Sequence, residues 1–380
     1  MVKFKVRASD LKQALDVVGI APPQDTNKQA TAGYLFVVRG DQSCSIYSQN
    51  SLHIARAPLQ AEDVEGEGAF IYPLVFTGVF KAMDDEEIVS IEAGDNDGKF
   101  YVNYETSSGS VSNRPSFDPK SMRPIDADPD GAKIELPAAI FRRAINTVKG
   151  AMADMDGGDR IEEVFRSIQV FDSSKPEWEQ GDGHMFATDG KRASYFYCDA
   201  FKGKGLAIYG THLQPVSSFL AKSEGNVSLH VSDNWTFLTN SAGQMLGWTH
   251  HSSTYPTFTY YKEESFQFRV VTSFLDRTLR YMKSALGDSK KIRVCYEALS
   301  PEKSRLQFYF VEPTGTVKSP YVAAVPTTDE AKTASFDVMS DIDQFLDLVN
   351  ALESKEVIVK IVVQKAKKPG QKEKYYFRIL

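Results

Sequence analysis

The chain has 380 residues, 42% of them hydrophobic and 12% aromatic, enough for roughly two to four packed cores and too apolar for a disordered or fibrous class. Its 44 Lys and Arg against 50 Asp and Glu leave a net charge of −6, which excludes a protein that coats nucleic acid over its whole surface but not a locally basic face on an acidic body. No apolar run approaches the ~20 residues of a membrane helix, the start Met1-Val-Lys-Phe-Lys-Val lacks a signal peptide's apolar core, and Cys44, Cys198 and Cys295 stand singly, so a cytoplasmic protein with no disulfide framework or zinc site is expected.

Residues 3 to 7 alternate as a strand, and Ser9 is placed to cap a helix carrying Leu11, Ala14, Leu15 and Val18 on one face. The polar side of that helix mixes Asp10, Lys12, Gln13 and Asp16. Strands are expected over Tyr34 to Val38, Ser45 to Tyr47 and Leu52 to Leu59, followed by a helix from Tyr72 to Met83. A strand from Ile88 to Glu92 then turns through Asp95-Asn-Asp-Gly98 into Phe100 to Tyr104. The turn lacks the remaining ligands and final Glu of a calcium loop and reads as a hairpin. Pro115, Pro119, Pro124 and the run Asp126-Ala-Asp-Pro-Asp-Gly131 mark a linker.

The same order of elements returns twice. A strand from Lys133 to Leu136 leads into a helix bounded by Pro137 and Gly150, with Phe141, Ala144, Ile145 and Val148 on one face and Arg142, Arg143, Asn146 and Lys149 on the other. Strands Phe165 to Phe171 and His184 to Tyr197 follow, then a helix from Thr211 to Lys222 and strands Val227 to Val231, Thr236 to Thr239 and a last one ending at Trp248. The third copy opens with Phe266 to Val271 and a helix from Thr272 to Leu286, apolar at Leu275, Leu279, Met282 and Leu286 and basic at Arg277, Arg280 and Lys283. Strands Ile292 to Tyr296, Arg305 to Val311 and Pro320 to Val325, a helix from Ser340 to Leu352, and strands Val357 to Val363 and Tyr375 to Leu380 complete it. A repeat of about 125 residues exceeds solenoid units and predicts three like-folded domains, 1–127, 128–262 and 263–380.

Catalytic signatures are missing: there is no nucleophile elbow, Walker loop or His-Glu-x-x-His, and the glycines of Gly203 to Gly210 are wrongly spaced for a dinucleotide. His250 and His251 are adjacent on the chain, a poor start for a shared metal, and Asp154, Asp156 and Asp159 read as a glycine-rich surface loop. A hydrolase site near His184, Asp189 and Arg192 would lack a nucleophile and orienting partners. The first helices of the second and third copies carry three bases each against no acid and one acid respectively. Side by side they would make a basic wall suited to duplex phosphates, without aromatics for stacking on single strands.

With these features the chain resembles the bacterial DNA polymerase III beta subunit, the sliding clamp, over essentially its whole length. The likeness is sharpest at Phe186-Ala-Thr-Asp-Gly-Lys-Arg-Ala193, which is similar to the family's Ala-Thr-Asp-Gly-His-Arg-Leu, and recurs in Phe345-Leu-Asp-Leu-Val-Asn-Ala-Leu352 and at Tyr255-Pro256. It implies an α+β DNA clamp fold of three similar domains, each with two channel-lining helices and outer antiparallel sheet, and a homodimeric ring closed head to tail around double-stranded DNA. It further implies a non-enzymatic processivity factor with no cofactor, which docks a DNA polymerase and a clamp loader and binds no membrane. DNA contacts are expected from Lys12, Arg142, Arg143, Lys149, Arg277, Arg280 and Lys283. By the resemblance, a pocket for partner peptides maps onto Phe165, Thr188, Gly190, Lys191, Arg192, Ala193 and Pro256, rimmed by Phe377, Arg378, Ile379 and Leu380.

Lys191 stands where the family has His, Ala193 where it has Leu, and the end Tyr376-Phe-Arg-Ile-Leu380 replaces a Met-Pro-Met-Arg-Leu-like tail. Residues 172 to 183 look like an enlarged hairpin loop, a divergence that would suit a phage-encoded member. The family's subunit contact would join a strand near Ser110 to Ser112 to the helix end near Leu286. The competing reading is a three-domain protein-binding scaffold that does not encircle DNA and whose basic stripes are solvent faces.

Overall fold

The computed structural model describes the chain except residues 24–32, 75–77, 97–98, 108, 117, 123–131, 154, 156–162, 171–183, 190–192, 203–204, 233, 250–264, 287–289, 313–314, 351–353, 365–373 and 380. It mixes six α-helices with antiparallel sheet among these residues and falls into two compact units. One comprises Met1–Arg142 with Ile208–Ser252 and the other Arg143–Ala207 with Ser253–Leu380.

In the first unit, β1 (Val2–Arg7) leads into α1 (Ala8–Val18), and β2 (Gly33–Val38), β3 (Cys44–Gln49), β4 (His53–Leu59), β5 (Ala61–Glu65) and β6 (Gly68–Pro73) follow. After α2 (Gly78–Ala82) come β7 (Ile88–Asn96), β8 (Lys99–Thr106), β9 (Gly109–Pro115) and β10 (Ala132–Pro137). The second unit receives most of α3 (Ala138–Lys149), then β11 (Ser167–Val170), β12 (His184–Thr188) and β13 (Ala193–Tyr197). β14 (Leu206–Tyr209) carries the chain back into the first unit, to α4 (Gly210–Lys222), β15 (Asn226–Val231), β16 (Trp235–Asn240) and β17 (Met245–Thr249). The remainder of the second unit is β18 (Ser265–Val271), α5 (Thr272–Leu286), β19 (Lys291–Ser300), β20 (Lys303–Glu312), β21 (Gly315–Lys318), β22 (Val322–Pro326), β23 (Ser335–Asp341), α6 (Ile342–Asn350), β24 (Glu356–Gln364) and β25 (Lys374–Ile379).

The first unit holds a five-stranded sheet, β5-β1-β7-β8-β9, and an eight-stranded one, β10-β15-β16-β17-β4-β3-β2-β6. The larger sheet is joined across the chain where β17 pairs β4, with Gly247 opposite Ile54. A Cβ at Gly247 would lie 2.7 Å from Ile54 Cγ2 and from the Phe237 ring, so only glycine lets these layers close. In the second unit β23-β19-β20-β22-β18-β24-β25 form one sheet with β21 added to β20, and β12 pairs both β11 and β13 in another.

One hydrogen-bonding arrangement recurs at three helix starts. The first amide of α1 donates from Ala8 to the Glu87 carbonyl (2.8 Å), that of α3 from Ala138 to Gly225 (2.9 Å), and that of α5 from Thr272 to Lys355 (3.0 Å). Each acceptor immediately precedes a strand that pairs antiparallel with the strand before the helix, in the same register: Arg7 opposite Ile88, Pro137 opposite Asn226, Val271 opposite Glu356. These bonds satisfy helix amides that otherwise lack intrahelical partners. They also explain one departure from the expected pattern: α1 begins at Ala8 with no side-chain cap and Ser9 lies inside it, its amide bound to the Asp85 carbonyl (3.1 Å).

A second departure is the helix expected from Tyr72 to Met83. Tyr72 belongs to β6, where it pairs Tyr34, and among the described residues the helix covers Gly78–Ala82. Apolar faces elsewhere are where the periodicity puts them, since Phe141, Ala144, Ile145 and Val148 of α3 and Leu275, Leu279, Met282 and Leu286 of α5 are buried. Each such side chain contributes about 1.5–3 kcal/mol of burial. α4 is held partly by a polar contact, His212 Nδ1 lying 3.0 Å from His53 Nε2 in a buried position beside Trp248.

Candidate nucleic-acid interface

Within each unit the helices lie against one another. In the first, α2 packs on α1, and Lys222 at the end of α4 donates from Nζ to the Asp16 carbonyl of α1 (3.0 Å). In the second, α5 packs on α6, and at Gly150, just past α3, a Cβ would come within 3.6 Å of the Asp347 carbonyl of α6. α1 thus meets both α2 and α4, and α6 meets both α5 and the residue just past α3.

Charge is not shared evenly among these helices. α1 and α2 together hold Lys12 and Lys81 against Asp10 and Asp16, and α5 and α6 hold Arg277, Arg280 and Lys283 against Asp276, Asp343 and Asp347. Both pairs are neutral. α3 and α4 carry Arg142, Arg143, Lys149 and Lys222 with no acid at all. Arg142, Arg143 and Lys149 are exposed, and Arg142 and Lys149 make no ion pair among the described residues. Seven positions apart, these two stand on one helix face about 10 Å from each other.

The other expected contacts are tied down. Lys12 Nζ reaches Asp85 Oδ1 at 2.7 Å and also donates to the Met83 carbonyl. Arg280 Nε meets both carboxylate oxygens of Asp276 at 2.9 Å, which raises its already high pKa, and its Nη2 donates to Asn350 Oδ1 at 2.6 Å. Lys283 Nζ is 2.5 Å from Asp343 Oδ1. Arg277 leaves this stripe altogether: its guanidinium lies 5.3 Å from the Phe274 ring, beside a groove of about 790 Å³ that Tyr281, Lys318, Pro320 and Tyr321 also line. Phe274, Tyr281 and Tyr321 are each more than half exposed there. Spacing along the helix placed Arg277, Arg280 and Lys283 together; the structure divides them between two faces.

Of the expected pocket residues, Thr188 is buried at the end of β12 and pairs Ala193, the first residue of β13, while Phe165 is half-buried in a short 3₁₀ turn. Phe377, Arg378 and Ile379 run along β25 opposite Ile361, Lys360 and Val359. All of these fall in the second unit. Gly190, Lys191, Arg192, Pro256 and Leu380 lie outside the described residues, as do Asp154, Asp156, Asp159, His250, His251 and the loop over residues 172 to 183. His184 packs edge-on to Tyr195 and against Tyr197, with ring centroids 5.4 and 5.0 Å away. Among the described residues no three His, Cys, Asp or Glu side chains gather to hold a metal, and no helix is long and apolar enough to cross a membrane.

Neither a protein-family model nor a curated relative matches the sequence. Solved structures match over the full length. A DNA polymerase III beta subunit from Thermotoga maritima superposes with a TM-score of 0.70 at 15% identity, covering 100% of this chain and 98% of its own. The beta subunit from Pseudomonas aeruginosa gives 0.74 at 14% identity, covering 100% and 99%. A beta sliding clamp from Caulobacter crescentus gives 0.74 at 12% identity, with the same coverage. At such identities the likeness establishes the fold: the chain has the sliding-clamp fold of the DNA polymerase III beta subunits.

Proposed function

We propose that this chain, built on the beta-subunit clamp fold, is itself a sliding clamp: a non-enzymatic processivity factor in the cytoplasm that encircles duplex DNA and keeps a polymerase on it. Two copies would close head to tail, each contributing domains 1–127, 128–262 and 263–380, and a clamp loader would open the ring. The full-length fold match carries this reading. Three further observations support it. The helix-start hydrogen bond recurs once in each proposed domain; each proposed domain holds two of the described α-helices; and α3 presents to solvent Arg142 and Lys149, which make no ion pair among the described residues. Sliding requires loose, sequence-independent attraction to phosphates, which exposed Arg and Lys supply without reading bases.

The exposed aromatic groove on α5 offers a seat for the second copy, larger than the helix end near Leu286 alone, and the β9 edge near Ser110 to Ser112 is its proposed counterpart. Polymerase and loader peptides would enter the pocket assigned to Phe165, Thr188, Gly190, Lys191, Arg192, Ala193, Pro256, Phe377, Arg378, Ile379 and Leu380. The ion pairs on Lys12, Arg280 and Lys283 favour the alternative of a protein-binding scaffold without encirclement, because they reduce the charge open to DNA. The two readings part on topology. After loader-assisted assembly, a clamp stays on nicked circular DNA at raised salt and is lost when the circle is cut; retention after cutting, or none before it, rejects the ring.

A further inference from the structure

Resting on the clamp reading, we propose that Asp343 and Asp276 act as electrostatic restraints that withhold Lys283 and Arg280 from DNA, leaving α3 to carry the phosphate contact of each subunit. The geometry around Asp343 is specific. It sits in the first turn of α6, where the helix dipole favours a carboxylate, and its amide is bound by the Asp341 side chain at 3.0 Å. Its two oxygens face two lysines, Lys283 at 2.5 Å and Lys290 at 3.8 Å. Asp276 takes both its oxygens to Arg280 Nε, and Asn350 at the far end of α6 fixes the rest of the guanidinium. Lys12 is held in the same way by Asp85 and the Met83 carbonyl.

An exposed pair of this kind is worth only about 0–1 kcal/mol, so the pair itself does not lock the cation. The restraint is that a fixed negative charge stands beside the site from which each cation would have to meet DNA. A phosphate approaching Lys283 therefore approaches Asp343 too, and little counterion is released. α3 contains no acid, and its Arg142 and Lys149 make no ion pair with any other element among the described residues.

The test is the salt dependence of binding to a short duplex by fluorescence anisotropy, with circular dichroism confirming that each variant is folded. Asp343→Asn should steepen the dependence, widening the affinity loss between about 50 and 200 mM salt by about threefold for each lysine released. Lys283→Gln and Arg280→Gln alone should leave it unchanged, whereas Lys283→Gln placed on Asp343→Asn should cancel part of the gain. If Lys283→Gln alone flattens the dependence of a chain that does bind, Lys283 already meets phosphate and the restraint is overturned while the clamp reading stands. If the wild-type chain has no salt-dependent binding, the clamp reading falls and the restraint falls with it.

Discussion

Replacing Arg142, Arg143 and Lys149 together by alanine removes the exposed cations of α3 and nothing from its core, because Phe141, Ala144, Ile145 and Val148 form the buried face. Alanine is also the strongest helix former, so the helix should remain and stability should change by no more than about 0.5 kcal/mol. Each cation that neutralises a phosphate contributes about 0.9 to the slope of log affinity against log salt. Three therefore account for about 2.7 per subunit, and over a fourfold rise in salt the wild-type chain should lose about 40-fold more affinity than the variant. Anisotropy titrations on two unrelated duplex sequences measure this directly, and the two sequences should give the same slope. An unchanged slope in a folded variant would refute the argument that α3 meets the phosphates. A slope that fell on one sequence only would refute the sequence independence.

Three further changes probe the scaffold. Gly247→Val drives a side chain into Ile54 and Phe237 at the β17–β4 joint, and should lower the denaturant midpoint by the equivalent of about 1–3 kcal/mol; an unaltered midpoint would mean that the two strands separate freely. Tyr296 is fully buried between Phe268 and Phe336 and donates to the Ala331 carbonyl at 2.8 Å. Tyr296→Phe should therefore cost about 1 kcal/mol and Tyr296→Ala about 3–5, measured by thermal unfolding, and equal costs would show that the hydroxyl rather than the ring carries the site. Burial lowers the His53 pKa, so the folded chain resists a proton that the unfolded chain accepts near the ordinary value of 6.5. That stability is complete above 6.5 and is lost as pH falls through the folded pKa. Melting temperatures should hold level above about pH 6.5 and decline as pH falls below it, more shallowly for His53→Gln; parallel profiles would remove His53 as the cause.

The sequence made α3 and α5 legible because both are long enough for the apolar period to repeat, and every residue it placed on their inner faces is buried. It set the start of α2 too early, because five described residues make little more than one turn and the preceding Phe70, Ile71 and Tyr72 are apolar for a different reason, pairing as strand with β2. β5, Ala61-Glu-Asp-Val-Glu65, is an edge with almost no apolar signal, and only its pairing with β1 defines it. Charge and helical spacing point to the candidate DNA residues but carry no information about partners distant along the chain. Asp343 is sixty positions from Lys283 and Asp85 is seventy-three from Lys12, so their neutralisation is written in tertiary structure alone. The groove beside Phe274 was hidden likewise, because Tyr321 reaches it from a separate strand connection.

The seam between β4 and β17 has a practical cost for anyone dissecting the polypeptide. Severing it at the proline-rich stretch after residue 122 would look natural on paper, yet it would strip β4 of its neighbour and leave a row of bare amides and carbonyls between Ile54 and Arg56. Such a fragment would seek another strand to replace the missing one. Truncations ending there should self-associate or precipitate, and a piece intended to behave as an independent module must carry β17 along with it.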